Sequence, residues 1–299
     1  MPNKEQKPAS FDWQQALRSH PRSWHSNLYV YPVLSRRARG ISIGININPD
    51  QVCNFHCVYC QVKRGDLIRT RTVDLEVLRR ELHQMLEQVS AGALFAEKPF
   101  ADAPVAMRRV SDIAFSGDGE PTLSKAFPDA ARIVAEARRL HALPDDMKIV
   151  VLTNAGFLDR PPVQEAIDLL HAHGGLLWAK LDAGTEEHFR RMNRCHVSLA
   201  RIVENISLAA RRWRVLIQSM WLRVQDRDPD SAEVDALADR LADIVRGGGT
   251  LQGVQVYTLA RPPAENYVSG VAEPLLRRIA ETIATRTHLP VEVFPSPGT

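Results

Sequence analysis

The sequence predicts an α/β protein organised as a partial or complete parallel (β/α) barrel. Two observations predict it. Short apolar runs recur at residues 41–47, 112–116, 148–152, 176–181, 215–222 and 254–259, and they are continuous rather than alternating, as suits strands buried on both faces. Stretches with helical periodicity separate them, giving about six strand–helix units in alternation. Right-handed crossovers bring the C-terminal ends of such strands to one face, where barrels place their chemistry.

In chain order, residues 1–39 are read as an N-terminal extension packing on the main domain, residues 40–299. The extension holds Trp13, Trp24, Tyr29 and Tyr31 and ends in the basic run Ser35-Arg36-Arg37-Ala38-Arg39. After the first strand and its loop, Leu75, Leu78, Leu82, Met85 and Val89 recur at helical spacing. Residues 91–110 read as a surface insertion. Pro128 and Pro161 stand where helical first turns begin. Asp230-x-x-Glu233 is a capping signal ahead of Val234, Leu237, Leu241 and Ile244, and Gly247, Gly248 and Gly249 stop that helix. A C-terminal helix and strand follow.

Composition narrows the class. Lys and Arg number 38 against 35 Asp and Glu, a net charge of +3. That is well short of the footprint of an obligate nucleic-acid binder. No apolar run approaches the roughly 18 residues of a membrane span, so no membrane association is expected. Four cysteines in 299 residues, behind the polar opening MPNKEQKPAS, argue against a secreted disulfide scaffold and for a reducing, cytoplasmic compartment.

Three of those cysteines fall within PDQVCNFHCVYCQV, residues 49–62, spaced C-x3-C-x2-C as Cys53, Cys57 and Cys60. Thiolates suit soft metals and iron–sulfur clusters. Three ligands leave one position open, where a substrate or cofactor can bind. The competing reading is structural zinc with His56 as fourth ligand; three core cysteines is another, in a stretch rich in Asn, Asp, Gln and His.

The ends of the other strands supply the remaining candidates. After the second run, SGDGEPTL (residues 116–123) offers Gly117 and Gly119 for close backbone approach, Asp118 between them, and the Glu120 carboxylate. Thr153 and Asn154 end the third run and can bond a ribose or carboxylate, or cap the approach to the next helix. Lys180 and Asp182 end the fourth and share strand parity, either as a structural ion pair or in a catalytic role. Gln218 lies in the fifth, and Arg261 follows the sixth, either placed to meet a carboxylate or phosphate or as an ordinary surface arginine. Cys195 is the leftover thiol. His83, His141, His171 and His173 read as surface residues.

With these residues in hand, the chain resembles the radical S-adenosylmethionine superfamily. The C-x3-C-x2-C loop after the first strand, with the aromatic Tyr59 before the last cysteine, is similar to that superfamily's signature. SGDGEPTL resembles its Gly-Gly-Glu motif, with Asp118 in place of the second glycine. VYPVLSRRARGISIGININ, KLDAGTEEHFRRMNR and VQVYTLARPPAE are further similar to bacterial proteins grouped with the wyosine-base synthases, which modify tRNA. Archaeal wyosine synthases carry extra N-terminal cysteines; this chain has none before Cys53, so one cluster is expected.

The resemblance implies a 4Fe–4S cluster on Cys53, Cys57 and Cys60, with S-adenosylmethionine chelating the open iron. It implies Tyr59, Gly117, Asp118, Gly119, Glu120, Thr153, Asn154 and Gln218 as cofactor contacts, and Lys180, Asp182 and Arg261 as catalytic candidates. Reductive cleavage to a 5′-deoxyadenosyl radical, fed by a donor such as flavodoxin or ferredoxin, is the expected chemistry. A tRNA or RNA base is one expected substrate, suggested by the kinship and by Arg36, Arg37, Arg39, Lys63, Arg64, Arg69 and Arg71 around the cysteine loop. The alternatives are a radical activase or small-molecule enzyme, and a non-catalytic iron–sulfur or zinc protein.

Overall fold

The computed structural model describes residues 24–62, 72–263 and 265–297. Trp13, Lys63, Arg64, Arg69 and Arg71 lie outside the described residues. The strands are β1 (Val30–Ser35), β2 (Gly40–Ile45), β3 (Val110–Phe115), β4 (Lys148–Thr153), β5 (Gly175–Lys180), β6 (Val215–Met220), β7 (Leu222–Val224), β8 (Leu251–Tyr257), β9 (Val268–Gly270) and β10 (Val291–Phe294). Eight of them form one sheet in the order β1-β2-β3-β4-β5-β6-β8-β10, while β7 and β9 pair separately. From β2 to β10 every pairing is parallel; β1 runs antiparallel to β2. The sheet curls into a half-barrel whose edges are drawn together at the β1–β2 turn. There Arg36 donates to the Pro295 carbonyl, Arg39 meets Glu292 at 2.5 Å, and Gln255 Nε2 donates to the Arg37 carbonyl at 3.2 Å.

Continuous apolar strands bury both faces, and strand parity divides the load. Ile43, Ile113, Val151, Ala179 and Ile217 face outward into the main core beneath the helices. Ala114, Val150 and Trp178 face inward and form a small cluster with Leu152, Leu176 and Leu216. The helices are α1 (Leu75–Ser90), α2 (Phe127–Leu140), α3 (Pro161–Ala172), α4 (Glu186–Asn193), α5 (Leu199–Arg212), α6 (Ser231–Arg246) and α7 (Glu273–Thr287). In α1 the periodic positions Leu78, Leu82 and Met85 are buried, and Asp74 caps the helix through the Glu76 and Val77 amides. Among the described residues no helix is long and apolar enough to cross a membrane.

Four local expectations are corrected. The stretch ahead of β2, which shows no periodicity in the sequence, contains edge strand β1, whose start is fixed by buried Glu81 accepting from the Leu28, Tyr29 and Val30 amides at 2.7, 2.9 and 3.1 Å. Residues 91–110 are not merely surface: Leu94, Phe100 and Ala103 are buried, and the Phe100 ring packs on Trp24. The run 215–222 breaks at Trp221, after which β7 leaves the sheet to pair with β9. Asp230 caps α6 through the Ala232 amide, but Glu233 does not reach back to it. Its carboxylate instead receives the Gly184 amide and the Thr185 amide and hydroxyl, fixing the start of α4.

Candidate active site

The cysteine loop leaves β2 through Asn46 and Asn48, which share parity and turn towards the loop after β3. Asn46 Nδ2 donates to Asp118 at 2.6 Å and its Oδ1 accepts the Asp118 amide; Asn48 Nδ2 donates to the Glu120 carbonyl at 3.2 Å. The Glu120 amide in turn donates to the Val52 carbonyl. This approach is why glycine is needed. A Cβ on Gly119 would stand 2.1 Å from that carbonyl, and one on Gly117 would stand 2.4 Å from Asn46 Oδ1. Contacts that short force the backbone apart.

A second clamp comes from α4. The Asn193 and Met192 carbonyls accept the His56 and Val58 amides. Asn193 Nδ2 donates to Cys57 Sγ at 3.4 Å and to the Tyr59 hydroxyl at 3.3 Å. Phe55 packs edge-on against Phe189 of the same helix. A third clamp comes from the end of β4, where Asn154 Nδ2 donates to Asn54 at 2.8 Å and lies 3.9 Å from Cys53 Sγ. Val58 and Tyr59 are covered by Met192, Leu222, Leu259 and Val268, so the β7–β9 ribbon shields the loop from water.

The loop opens onto a cavity of about 310 Å³. Cys53, Cys57 and Cys60 all line it, with Gly117, Asp118, Gly119, Glu120, Thr153, Asn154, Tyr59, Lys180 and Arg261. Cys195 is buried elsewhere and donates to the Val197 carbonyl. His56 is exposed and does not line the cavity, so it is not placed to complete a zinc site with the thiols. Among the described residues no three His, Cys, Asp or Glu side chains are grouped to hold a single metal ion. The three sulfurs face shared space, and amide donors from Asn193, Asn154 and Phe55 point at two of them. Soft donors supported by N–H groups fit an iron–sulfur cluster.

Several candidates are tied into the hydrogen-bond network that holds the site together. Glu120 is 3% exposed. Its carboxylate accepts from the Thr122 amide and hydroxyl, the Thr153 hydroxyl and the Asn154 amide, at 2.6–3.2 Å. Burial raises its pKa, against the pull of those donors. Asp182 lies behind the lining; it accepts from the Tyr59 hydroxyl and from the Met220 amide at 2.8 Å. Gln218 is fully buried and off the lining, bonded to Arg37 and Gln255. Lys180 does line the cavity, with its ammonium 4.7 Å over the Tyr59 ring. Burial lowers its pKa, but Tyr257, Asp182 and Cys57 outweigh that and raise it. Burial pushes the Cys57 thiol up to about 11, with Lys180 pulling the other way.

Sequence reasoning missed Asn46, Asn48, Asn54 and Asn193. For the first two the signal was present: in ISIGININ the asparagines alternate with isoleucines, so they share a face at a strand's end. It also placed Arg36 and Arg37 on a basic surface, whereas both are half-buried and line the cavity.

Comparison with known proteins agrees with this geometry. A model of the radical SAM superfamily matches residues 47–234. A UPF0026 protein from Methanocaldococcus jannaschii is 30% identical over 169 residues, 56% of this chain and 44% of that protein. A protein named GTPase Obg from Brachyspira hyodysenteriae is 28% identical over 159 residues, 53% of this chain and 19% of that protein. The matched region is thus less than half the length of either relative. Among solved structures, a radical SAM methyltransferase from Sphaerobacter thermophilus superposes with a TM-score of 0.58 at 15% identity, covering 90% of this chain and 70% of its own. Streptococcus suis SuiB bound to S-adenosylmethionine gives 0.57 at 12% identity, covering 87% and 52%. TYW1 with a lysine-pyruvate adduct bound gives 0.50 at 16%, covering 83% and 74%. These structural likenesses bear on the fold. The family match takes in the cysteine loop, the SGDGEPTL loop and strands β3 to β7, and on that extent the protein belongs to the radical SAM superfamily of enzymes.

Proposed function

We propose that the cavity binds a 4Fe–4S cluster on Cys53, Cys57 and Cys60 and S-adenosylmethionine beside it. The observation that carries this is that all three cysteines and the Gly117–Gly119 loop line one cavity. Held by these three thiols, such a cluster would supply the electron for reductive cleavage of S-adenosylmethionine.

The protein's own residues orient and exclude. The three clamps fix where the thiols can sit before any ligand arrives, which is the pre-organisation such a site needs. The Glu120 carboxylate is positioned by Thr122, Thr153 and Asn154, and its Oε2, which accepts only the Asn154 amide, keeps an acceptor site for the amine of S-adenosylmethionine. Glu120 also holds the glycine loop to the end of β4. Lys180, protonated and held over Tyr59, contributes positive charge to the cavity. The β7–β9 ribbon and Leu259 keep water from the loop. A small reducing protein is the implied electron partner.

For the substrate we retain an RNA base as the class the resemblance suggests. Its support differs from the sequence reading, because Arg36 and Arg37 face the cavity. Replacing both by Ala would therefore report on the cavity rather than on a phosphate-tracking surface. Salt-sensitive tRNA binding is the check on this class.

The test of the main reading is anaerobic reconstitution with iron and sulfide, followed by S-adenosylmethionine and dithionite. Mass spectrometry should detect 5′-deoxyadenosine from the wild type and none from Cys57→Ala. Protein that holds its full cluster yet yields none would overturn it.

A further inference from the structure

Resting on that reading of the cysteine end, we infer that the part of the cavity reached by the β1–β2 turn is a subsite for an oxyanion carried by the substrate, a carboxylate or a phosphate, bound by Arg37, Lys180, Trp178 and Tyr257.

Charge is the first ground. Arg36, Arg37, Lys180 and Arg261 line the cavity, against Asp118 and Glu120. Both carboxylates belong to the cysteine end, tied to Asn46 and to the Thr122–Thr153–Asn154 donors. The partners that Arg36 and Arg37 show are neutral. Arg36 donates to the Pro295 carbonyl; Arg37 donates to Gln218 Oε1 at 2.7 Å and lies 4.6 Å over the Tyr257 ring. Burial pushes Arg36 down to about 10, and the Arg37 charge adds to it. Adjacent half-buried cations with neutral partners are costly unless a ligand completes them. The two nearby acids do not face the space. Asp112 accepts from Ser42 and lies off the lining, and Asp182 is held by Tyr59 and Met220.

Unpartnered donors are the second ground. Trp178 and Tyr257 line the same cavity at 7% and 4% exposure. The Trp178 Nε1 and the Tyr257 hydroxyl have no hydrogen-bond partner among the described residues. An indole N–H can only donate, and buried donors are ordinarily satisfied. Buried donors without acceptors, on residues that line the cavity with the cations, suit an acceptor-rich, anionic ligand. The third ground is positioning. Gln218 bonds Arg37 Nη1 and Gln255, and Gln255 bonds the Arg37 carbonyl, so a closed ring of contacts holds the guanidinium in place. A fixed planar guanidinium with an ammonium nearby suits a carboxylate or phosphate.

The test uses inorganic phosphate and propionate as probes. Each is titrated calorimetrically, with tryptophan fluorescence in parallel, into the cluster-free chain and into the reconstituted chain saturated with S-adenosylmethionine. Saturable binding is expected in both, weakened at least about tenfold in Arg37→Gln and Lys180→Met and less in Tyr257→Phe and Trp178→Phe. The preferred probe identifies the anion. Absence of saturable binding, or binding unchanged in the variants, would overturn the subsite. Competition with S-adenosylmethionine would reassign it to the cofactor's own carboxylate and overturn the substrate assignment. If Arg37→Gln does not fold, the near-isosteric Tyr257→Phe decides. A reconstituted chain that makes no 5′-deoxyadenosine yet whose cluster-free form binds the anion would sink the cofactor reading alone.

Discussion

The two ends of the cavity are built on opposite terms. At the cysteine end, polar groups hold one another: Asn46 with Asp118, Asn48 with the Glu120 carbonyl, Glu120 with Thr153 and Asn154, Asn193 with Cys57 and Tyr59. Beyond it, Arg37 lines the cavity beside Trp178 and Tyr257, whose donors are unpartnered among the described residues, with Lys180 between the two over the Tyr59 ring. An end whose polar groups mostly hold one another, with Asn54 Nδ2 and Asn193 Oδ1 left over, is shaped for a rigid group that asks only for ligand atoms in the right places. An end with charge and donors to spare is shaped for a ligand that brings the missing acceptors. On the proposed reading, the difference separates a cofactor seat from the part of the cavity that would recognise the substrate.

The most direct way to break the comparison is Gly119→Ala. The added methyl stands 2.1 Å from the Val52 carbonyl, so the glycine loop and the cysteine loop must separate. The expected cost is about 1–3 kcal/mol of stability, as for overpacking, together with loss of cluster iron and of nearly all 5′-deoxyadenosine formation. Iron content and a thermal melt measure the two. Normal iron retention would mean that the cysteine end adapts, and its rigidity would be refuted. Glu120→Ala is expected next. It leaves the Thr122, Thr153 and Asn154 donors buried without an acceptor, at about 1–3 kcal/mol. Glu120→Gln keeps an acceptor and should recover part of that in a urea titration. Asn193→Ala is milder. It removes donors to Cys57 Sγ and to Tyr59 for about 1 kcal/mol and, by taking a hydrogen bond from a sulfur, should move the cluster potential more negative in a redox titration.

What the sequence made legible follows from how local each signal is. The half-barrel was readable because its strands are continuous apolar runs separated by periodic helices. The cysteine loop and SGDGEPTL were readable because each motif is contiguous. Strand β1 was not, since its fixing carboxylate, Glu81, comes from a helix some fifty residues later. Glu233 was legible as a cap but not as the cap of a different helix, because the pattern Asp-x-x-Glu carries no information about which N-terminus lies nearest in space. Arg36 and Arg37 read as a basic surface because composition reports charge and not direction. Only the curl that brings the β1–β2 turn to β8 and β10 turns them inward. Asn193 was hidden for the same reason: its value lies in a contact with Cys57, 136 residues earlier in the chain.

An effect of similar size to that of Asn193→Ala tests the Arg37 side of the cavity most directly. Asp112 is 3% exposed, beside Ser42, and is the carboxylate that feels Arg37. Burial raises its pKa from 3.8 to about 6, outweighing the lowering by Ser42 and Arg37. A carboxyl whose folded pKa is raised contributes stability that is fully present below its unfolded pKa and lost as pH rises through the folded one. The wild type should therefore lose roughly 3 kcal/mol at this site between pH 3.8 and neutrality, of which roughly 1 kcal/mol falls between about pH 5 and about pH 7.5. Asp112→Asn cannot ionise, so urea titrations at those two pH values should show the variant gaining on the wild type by about that amount as pH rises. The opposite sign, with the variant falling behind at the higher pH, would mean that ionised Asp112 serves as the counterion of Arg37. The Arg37 side would then already be neutralised, and the contrast between a satisfied end and an open one would fail at the residue where it is most exposed to test.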